Sequence, residues 1–348
     1  MRASNSDKNV TTSTFGPNDT VQILALDGGG LRGLYTASVI KSLEDQLGGS
    51  IRRHFDIITG TSTGGLIALA LGRGISGRDI QRFYLENGTT IFPANGLSGF
   101  LRRIRTLVQA RYSNTDLEAT LKALFADDGE GQLIMGDSQS RLVIPTFLAG
   151  ESIPRLIKTP HAARYGYDWK LPMWVVGMAT SAAPTYFPSF EYDGRNYIDG
   201  GVWANNPSLV GVVEAKDLGA DLTKIRVLNI GTTYSTSQVV FQHWFGRLVR
   251  FRRSGYVGWA AQILPTVMQA NSYATSSMYV HQLLERGNSF VINKQVDRGS
   301  SRLDKIEDSL FLEMGESAGE LYYAQLRRFF EHTAKTYVPV KEAMNERE

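Results

Sequence analysis

The chain reads as an α/β protein with a mostly parallel central sheet and helices on both faces, three layers in all. Two observations predict this. Val21-Gln-Ile-Leu-Ala-Leu26 and His54-Phe-Asp-Ile-Ile-Thr-Gly60 are short apolar runs that end in glycine turns. Each is followed by a helical stretch, Leu34 to Leu47 after the first and Gly64 to Leu71 after the second. A strand that is apolar on every residue has no side to offer water, so such a sheet must be covered on both faces. The same reading expects strands at Leu142 to Leu148, Met173 to Met178 and Arg226 to Ile230. It expects helices over 78–87, 115–125, 206–218 and 316–335.

The 348 residues divide by composition. Residues 1–19 are polar and read as a flexible arm, and 20–233 carry the strand–helix alternation of a catalytic core. Residues 234–335 read as a helical elaboration or cap packed on that core, because 235–288 lack strand alternation and no Pro/Gly linker sets them apart. A polar tail, 336–348, follows. With 42% apolar and 20% charged residues, a core can form without metals or disulfides. The net charge of +3 is small for this length, so neither DNA nor RNA is an expected partner. The absence of cysteine excludes disulfides, thiolate metal sites and cysteine nucleophiles. The polar N-terminus lacks the apolar stretch of a secretory signal, and no run of about 18 apolar residues occurs. The expectation is a cytoplasmic protein that meets lipid from the water side, peripheral to the inner face of the membrane when active.

Gly60-Thr-Ser-Thr-Gly64 places Ser62 between an apolar strand and an apolar helix. A serine on that sharp turn exposes its hydroxyl, and the glycines let strand and helix approach. The helix N-terminus adds a field that favours developing negative charge. Upstream, Asp27-Gly-Gly-Gly-Leu-Arg-Gly33 sets Gly28, Gly29 and Gly30 after a buried strand. Their N–H groups can form an oxyanion hole for acyl transfer. Arg32 either adds positive charge there or anchors the loop. A rival reading is open at this point: Gly28, Gly30 and Gly33 also fit the G-x-G-x-x-G dinucleotide pattern, although the acidic residue expected about 20 positions on is not clearly present.

A nucleophilic serine needs a proton acceptor. The five histidines, at 54, 161, 243, 281 and 332, sit in no motif-like setting. Asp199, between an apolar pair and Gly200-Gly201, is the best-placed carboxylate. Partial burial would be required to raise its basicity. Asn206 either orients the Asp199 loop or caps the helix that begins near Pro207.

These three motifs, in this order, resemble the patatin-like phospholipases, as do Ala179-Thr-Ser-Ala-Ala-Pro-Thr-Tyr-Phe-Pro188 and Ala204-Asn-Asn-Pro207. The resemblance covers about residues 20 to 233. It implies a Ser62–Asp199 dyad, an oxyanion hole from Gly28, Gly29 and Gly30 with Arg32, and supporting roles for Gly33, Gly60, Gly64, Gly200, Gly201 and Asn206. It further implies no metal or other cofactor, and hydrolysis of acyl esters in phospholipids or galactolipids, with membrane phospholipids the expected substrate. The whole layout also resembles the bacterial patatin effectors that cyclic oligonucleotides switch on during antiphage defence. A cyclic di- or trinucleotide activator is therefore an expected partner, and the sequence leaves homo-oligomerisation open.

Outside the shared core, Gly246-Arg-Leu-Val-Arg-Phe-Arg-Arg253 spaces Arg247, Arg250 and Arg253 near one helix face among aromatic residues. Arg102 and Arg103, with Arg105, form a second basic group. Guanidinium forks suit phosphates and aromatic faces suit bases, so these arginines are the candidate regulatory anion site. A solvated basic face and a lipid-docking face are the other readings of the same residues.

Overall fold

The computed structural model describes residues 14–91, 110–127, 131–234, 241–242, 248–249, 263–296 and 307–340. Its sheet contains β1 (Val21–Leu26), β2 (Ile57–Gly60), β3 (Arg141–Leu148), β4 (Ile153–Lys158), β5 (Phe190–Tyr192), β6 (Arg195–Asp199), β7 (Ile225–Ile230) and β8 (Ser289–Ile292). The order is β8-β7-β1-β2-β3-β6-β5, with β4 paired to β3. From β8 to β3 every pairing is parallel, and β4, β5 and β6 add antiparallel pairings at one end. The helices used below are α1 (Gly33–Leu47), α2 (Thr63–Arg73), α3 (Gly77–Ile91), α4 (Asn114–Leu124), α5 (Met173–Ser181), α6 (Gly201–Ala204), α7 (Ser208–Asp217), α8 (Ile263–Tyr273) and α9 (Asp308–Tyr323).

All six residues of β1 are buried, as its unbroken apolar run requires of a central parallel strand. Successive side chains point to opposite faces. Leu24 and Leu26 join one core with α1, α2 and α5, while Val21, Ile23 and Ala25 join a second core with α7. That division makes the three layers.

One detail of the pairing positions the site. β4 occupies one edge of β3 over Val143–Leu148, so β6, which pairs with Thr146–Leu148, must lie on the other edge. That edge already holds β2, opposite Arg141–Val143. β2 runs parallel to β3 and β6 antiparallel, so their C-terminal ends meet along one edge of β3. β2 leads into Ser62 and β6 ends at Asp199. Pro145, which lacks an N–H, falls between the last residue paired with β2 and the first paired with β6.

Several expectations change. Met173–Met178 is helical, not extended, and nearly all of α5 is buried. A short, wholly apolar run does not separate a buried strand from a buried helix. β4, β5, β6 and β8 were not legible as strands, since their patterns are polar or short. The C-terminal elaboration contributes more than helices: β8 extends the central sheet past residue 233 by pairing with β7. α9 packs on α1 through small residues, for a Cβ on Gly315 would come within 2.5 Å of Ser38 and one on Gly319 within 2.5 Å of Ser42. The expected arm is anchored from Phe15, which is buried and donates its N–H to the Leu218 carbonyl at 3.0 Å. The start of the expected tail is anchored too. Arg141 donates to the carbonyls of Lys335 and Thr336, and the Val340 N–H donates to Pro160. Among the described residues, no helix is long and apolar enough to cross a membrane.

Candidate active site

Ser62 sits at φ 55° and ψ −124°, a region that side chains rarely adopt and that costs on the order of 1–3 kcal/mol. Tight packing holds it there. A Cβ on Gly60 would meet the Gly64 carbonyl oxygen at 2.1 Å, and one on Gly64 would meet the Leu26 carbonyl oxygen at 2.2 Å. The Ser62 N–H donates to Thr180 Oγ1 at 3.0 Å, and Thr180 donates to the Pro145 carbonyl at 2.7 Å. The Ala-Thr-Ser-Ala-Ala-Pro segment thus grips both halves of the site, because the Asp199 N–H donates to the Ala182 carbonyl at 3.0 Å. The sequence marked that segment without revealing this role.

Asp199 is 2% exposed. Its Oδ1 accepts the Gly201 N–H at 2.7 Å. Its Oδ2 is buried and has no partner of full hydrogen-bond geometry among the described residues. Burial pushes the carboxyl up to about 6, while the Ser62 hydroxyl and the Gly201 N–H pull it part of the way back. Beside the Gly201 N–H, the Ser62 hydroxyl is thus the polar group that acts on this otherwise unpartnered carboxylate. A carboxylate of this basicity can take a proton near neutral pH, as one in water cannot.

The glycine loop is held by its carbonyl groups. Gly28 O accepts from Thr232 Oγ1 at 2.9 Å and Asn205 Nδ2 at 3.3 Å. Gly29 O accepts from Arg32 Nε at 3.1 Å and from the Arg32 N–H. In a trans peptide the following N–H points the opposite way, so these bonds orient the N–H groups of Gly29 and Gly30. Neither has an acceptor among the described residues. Gly30 takes φ 60°, which glycine adopts freely. Gly28 departs from the expectation: its N–H is already donated to the Asn205 carbonyl at 2.9 Å. A Cβ at Gly28 would lie 2.4 Å from Asn205 Oδ1 and 3.3 Å from the Ser62 Cβ, so glycine lets the loop pack against both. Arg32 likewise serves as an anchor, reaching Gly29 O and, at 3.4 Å, Thr233 O. Burial lowers its pKa to about 10, where it remains a cation at neutral pH.

The other motif residues surround this centre. Gly33, Gly200 and Gly201 make contacts too short for a side chain, against Thr63, Pro145 and Met268. Asn206 makes the expected contact at the start of the helix and a second one toward Asp27. Its Oδ1 accepts the Ser208 N–H at 3.0 Å at the start of α7, and its Nδ2 donates to Asn229, which in turn donates to Asp27 at 2.7 Å. A cleft of about 640 Å³, counted out to its open mouth, holds Ser62 and Asp199. Leu66, Phe83, Ile91, Leu117, Phe187 and Met268 give it an apolar lining fit for an acyl chain. This arrangement is a strained serine, a buried carboxyl, two N–H groups with no acceptor among the described residues, and an apolar cleft.

A family model described as patatin-like phospholipase matches residues 24–210. The chain belongs to this family. Three relatives carry the name "cGAMP-activated phospholipase". That of Escherichia coli (strain TW11681) is 30% identical over 349 residues, covering 91% of this chain and 94% of the relative. That of Pseudomonas aeruginosa (strain BWHPSA011 / Pa011) is 37% identical over 215 residues, covering 61% and 62%. That of Vibrio cholerae serotype O1 is 31% identical over 284 residues, covering 75% and 77%. As a patatin-like phospholipase the protein is an enzyme, a hydrolase, and the dinucleotide reading of Gly28, Gly30 and Gly33 falls away.

No described histidine of this phospholipase lines the cleft. His54 and His332 lie together near Asp56, with His332 Nε2 2.8 Å from Asp56 Oδ2. His161 is buried against Glu214, Nε2 to Oε1 2.9 Å. Glu214 also accepts from Lys158 Nζ at 2.5 Å and from Tyr165 OH at 2.7 Å. Burial opposes ionisation of Glu214, but His161 and Lys158 outweigh it and bring the carboxyl down to about 2. Burial also lowers the pKa of the His161 imidazole. The candidate regulatory arginines Arg102, Arg103, Arg247, Arg250 and Arg253 lie outside the described residues.

Proposed function

We propose that this enzyme is a phospholipase A-type serine hydrolase that cleaves fatty acyl esters of membrane phospholipids through a Ser62–Asp199 dyad. The observation that carries this reading is the buried Asp199 carboxylate. One of its oxygens is fixed by the Gly201 N–H and the other is without a settled partner beside the Ser62 hydroxyl. Ser62 Oγ attacks the ester carbonyl and its proton passes to Asp199. The carbonyl oxygen becomes an oxyanion against the N–H groups of Gly29 and Gly30, each such donor being worth roughly 100- to 1,000-fold in rate. Collapse breaks the ester bond, and Asp199 returns the proton to the lysolipid alkoxide. Asp199 then takes a proton from water as that water attacks the acyl-enzyme, and returns the proton to Ser62 Oγ as the fatty acid leaves. The apolar cleft lining takes the acyl chain.

The names of the three relatives support a second part of the proposal, that a cyclic nucleotide such as cGAMP switches the enzyme on; antiphage defence is the setting that the resemblance of the whole layout implies. Arg247, Arg250, Arg253, Arg102 and Arg103 are the proposed phosphate contacts, and contact with the membrane is peripheral. The test is fatty-acid release from phosphatidylglycerol/phosphatidylethanolamine vesicles, followed by mass spectrometry, with and without cGAMP. Release that rises with cGAMP and vanishes in Ser62→Ala supports both parts. Release that ignores every cyclic di- and trinucleotide reduces the reading to a constitutive lipase. Reversing charge at Arg247 and Arg250 is expected to abolish stimulation and spare basal cleavage of a soluble ester. Loss on anionic vesicles alone, with or without nucleotide, would make these arginines a docking face.

A further inference from the structure

The helix α8 lies outside the stretch matched by the family model, yet it reaches the centre of the site. Met268, Asn271 and Ser272 are spaced i, i+3 and i+4, so they share one face. Met268 lines the cleft with Ser62 and Asp199 and lies against Gly201. Asn271 Nδ2 donates to the Trp203 carbonyl at 2.7 Å, and its Oδ1 accepts the Asn206 N–H at 3.2 Å. One amide side chain therefore spans the loop just after Asp199. Ser272 Oγ accepts from Asn205 Nδ2 at 2.8 Å, and its hydroxyl bonds the Asp27 carboxylate.

Asn205 is the joint between the two halves. Its Nδ2 also donates to Gly28 O, and its carbonyl accepts the Gly28 N–H. Gly28 directly follows Asp27, so Asp27, Gly28, Asn205 and Ser272 close a ring of bonds around the start of the oxyanion loop. Because the Gly28 carbonyl fixes the direction of the Gly29 N–H, a slip in this ring turns an oxyanion donor away.

We propose that Ser272 and Asn271 are positioning residues, by which α8 holds the glycine loop and the Asp199 loop in catalytic register through Asn205. This rests on the Ser62–Asp199 reading. Neither residue touches the reacting atoms, so both act on the turnover step rather than on substrate binding. Misplacement by about 1 Å far from the chemistry can cost about 100-fold in rate.

The full chain carrying Ser272→Ala, Ser272→Thr or Asn271→Ala is compared with Ser62→Ala and the unaltered enzyme on a short-chain p-nitrophenyl ester, with and without cGAMP. Active enzyme is counted by labelling with a fluorophosphonate. The expected result is a 10- to 100-fold fall in kcat for Ser272→Ala and Asn271→Ala, with KM within twofold and the thermal midpoint nearly unchanged. Ser272→Thr, which keeps the hydroxyl, should recover most of the rate. Unchanged kcat in both truncations, or a loss that only tracks the folded fraction, overturns the proposal. Activity persisting in Ser62→Ala would instead overturn the dyad, so the two failures are distinguishable. If Asn271→Ala does not fold, the Ser272 pair decides alone.

Discussion

Two buried carboxylates in this molecule, Asp199 and Glu214, are comparably hidden from solvent and are driven in opposite directions. Glu214 is surrounded by His161, Lys158 and Tyr165, and its carboxyl is brought down to about 2. Among the described residues Asp199 has only the Gly201 N–H and the neighbouring Ser62 hydroxyl, and burial drives it up to about 6. Burial depth alone does not decide the charge state of a buried acid; the number and sign of its partners do. A fully partnered carboxylate is a structural strut with nothing left to give. An under-partnered one stays basic, and the fold bears its cost because the surrounding packing is sufficient.

The comparison breaks most sharply in catalysis. Ser62→Ala, Asp199→Asn and the double variant should fall to one common floor, at least about 1,000-fold below the unaltered enzyme, since residues sharing one proton transfer are not additive. Glu214→Gln should leave kcat per folded molecule within about twofold. Initial rates on a soluble short-chain ester read both, and near-normal turnover in Asp199→Asn would remove the distinction between the two acids.

Stability should show the reverse. Glu214→Gln leaves Lys158 half of a broken buried pair, with an expected cost of about 3 kcal/mol in chemical denaturation. Asp199→Asn should stabilise the fold at pH 8 by up to about 3 kcal/mol, two pK units at about 1.4 kcal/mol each. The signs follow from linkage. Asp199 is raised on folding, so its charged form penalises the folded state as pH rises from about 4 through about 6; the gain in Asp199→Asn should vanish near pH 4. Glu214 is lowered, so its contribution is present above about 4.3 and is lost as pH falls toward about 2. A pH-independent gain in Asp199→Asn would mean that its carboxylate is not held against its charge.

The smallest effect sharpens the assignment of the base. The rate constant kcat/KM should fall about tenfold per pH unit below about 6 and level off above it, as protonated Asp199 cannot accept from Ser62. A midpoint near 4 would point to a solvated carboxylate.

The chemistry of this site was more legible in the sequence than its support. Gly60-Thr-Ser-Thr-Gly64 and Asp27-Gly-Gly-Gly30 announce themselves because each is a local strand–turn–helix device, complete within a few residues. Ser62 at positive φ agrees with that local pattern, and the N–H groups of Gly29 and Gly30 have no acceptor among the described residues. The commitment of the Gly28 N–H was hidden, since its acceptor, Asn205, lies 177 positions away. Thr180, Asn271 and Ser272 were missed for the same reason, as their bonds to Ser62, Trp203 and Asn205 cross the chain.

What this sequence determined by itself is whatever short-range sterics and hydrophobic period can specify. That includes the buried parallel strands β1, β2 and β7, the two glycine turns, and the choice of Ser62 and Asp199 as candidate nucleophile and base. Tertiary structure decided what depends on neighbours far along the chain. β6 lies head-on to β2 along one edge of β3 while β4 holds the other, and this pairing brings Asp199 toward Ser62. The helical state of Met173–Ser181 and the basicity of Asp199 were settled there too. Backbone turns are chosen by local free energies, whereas burial, strand partnership and pKa are properties of the assembled surroundings.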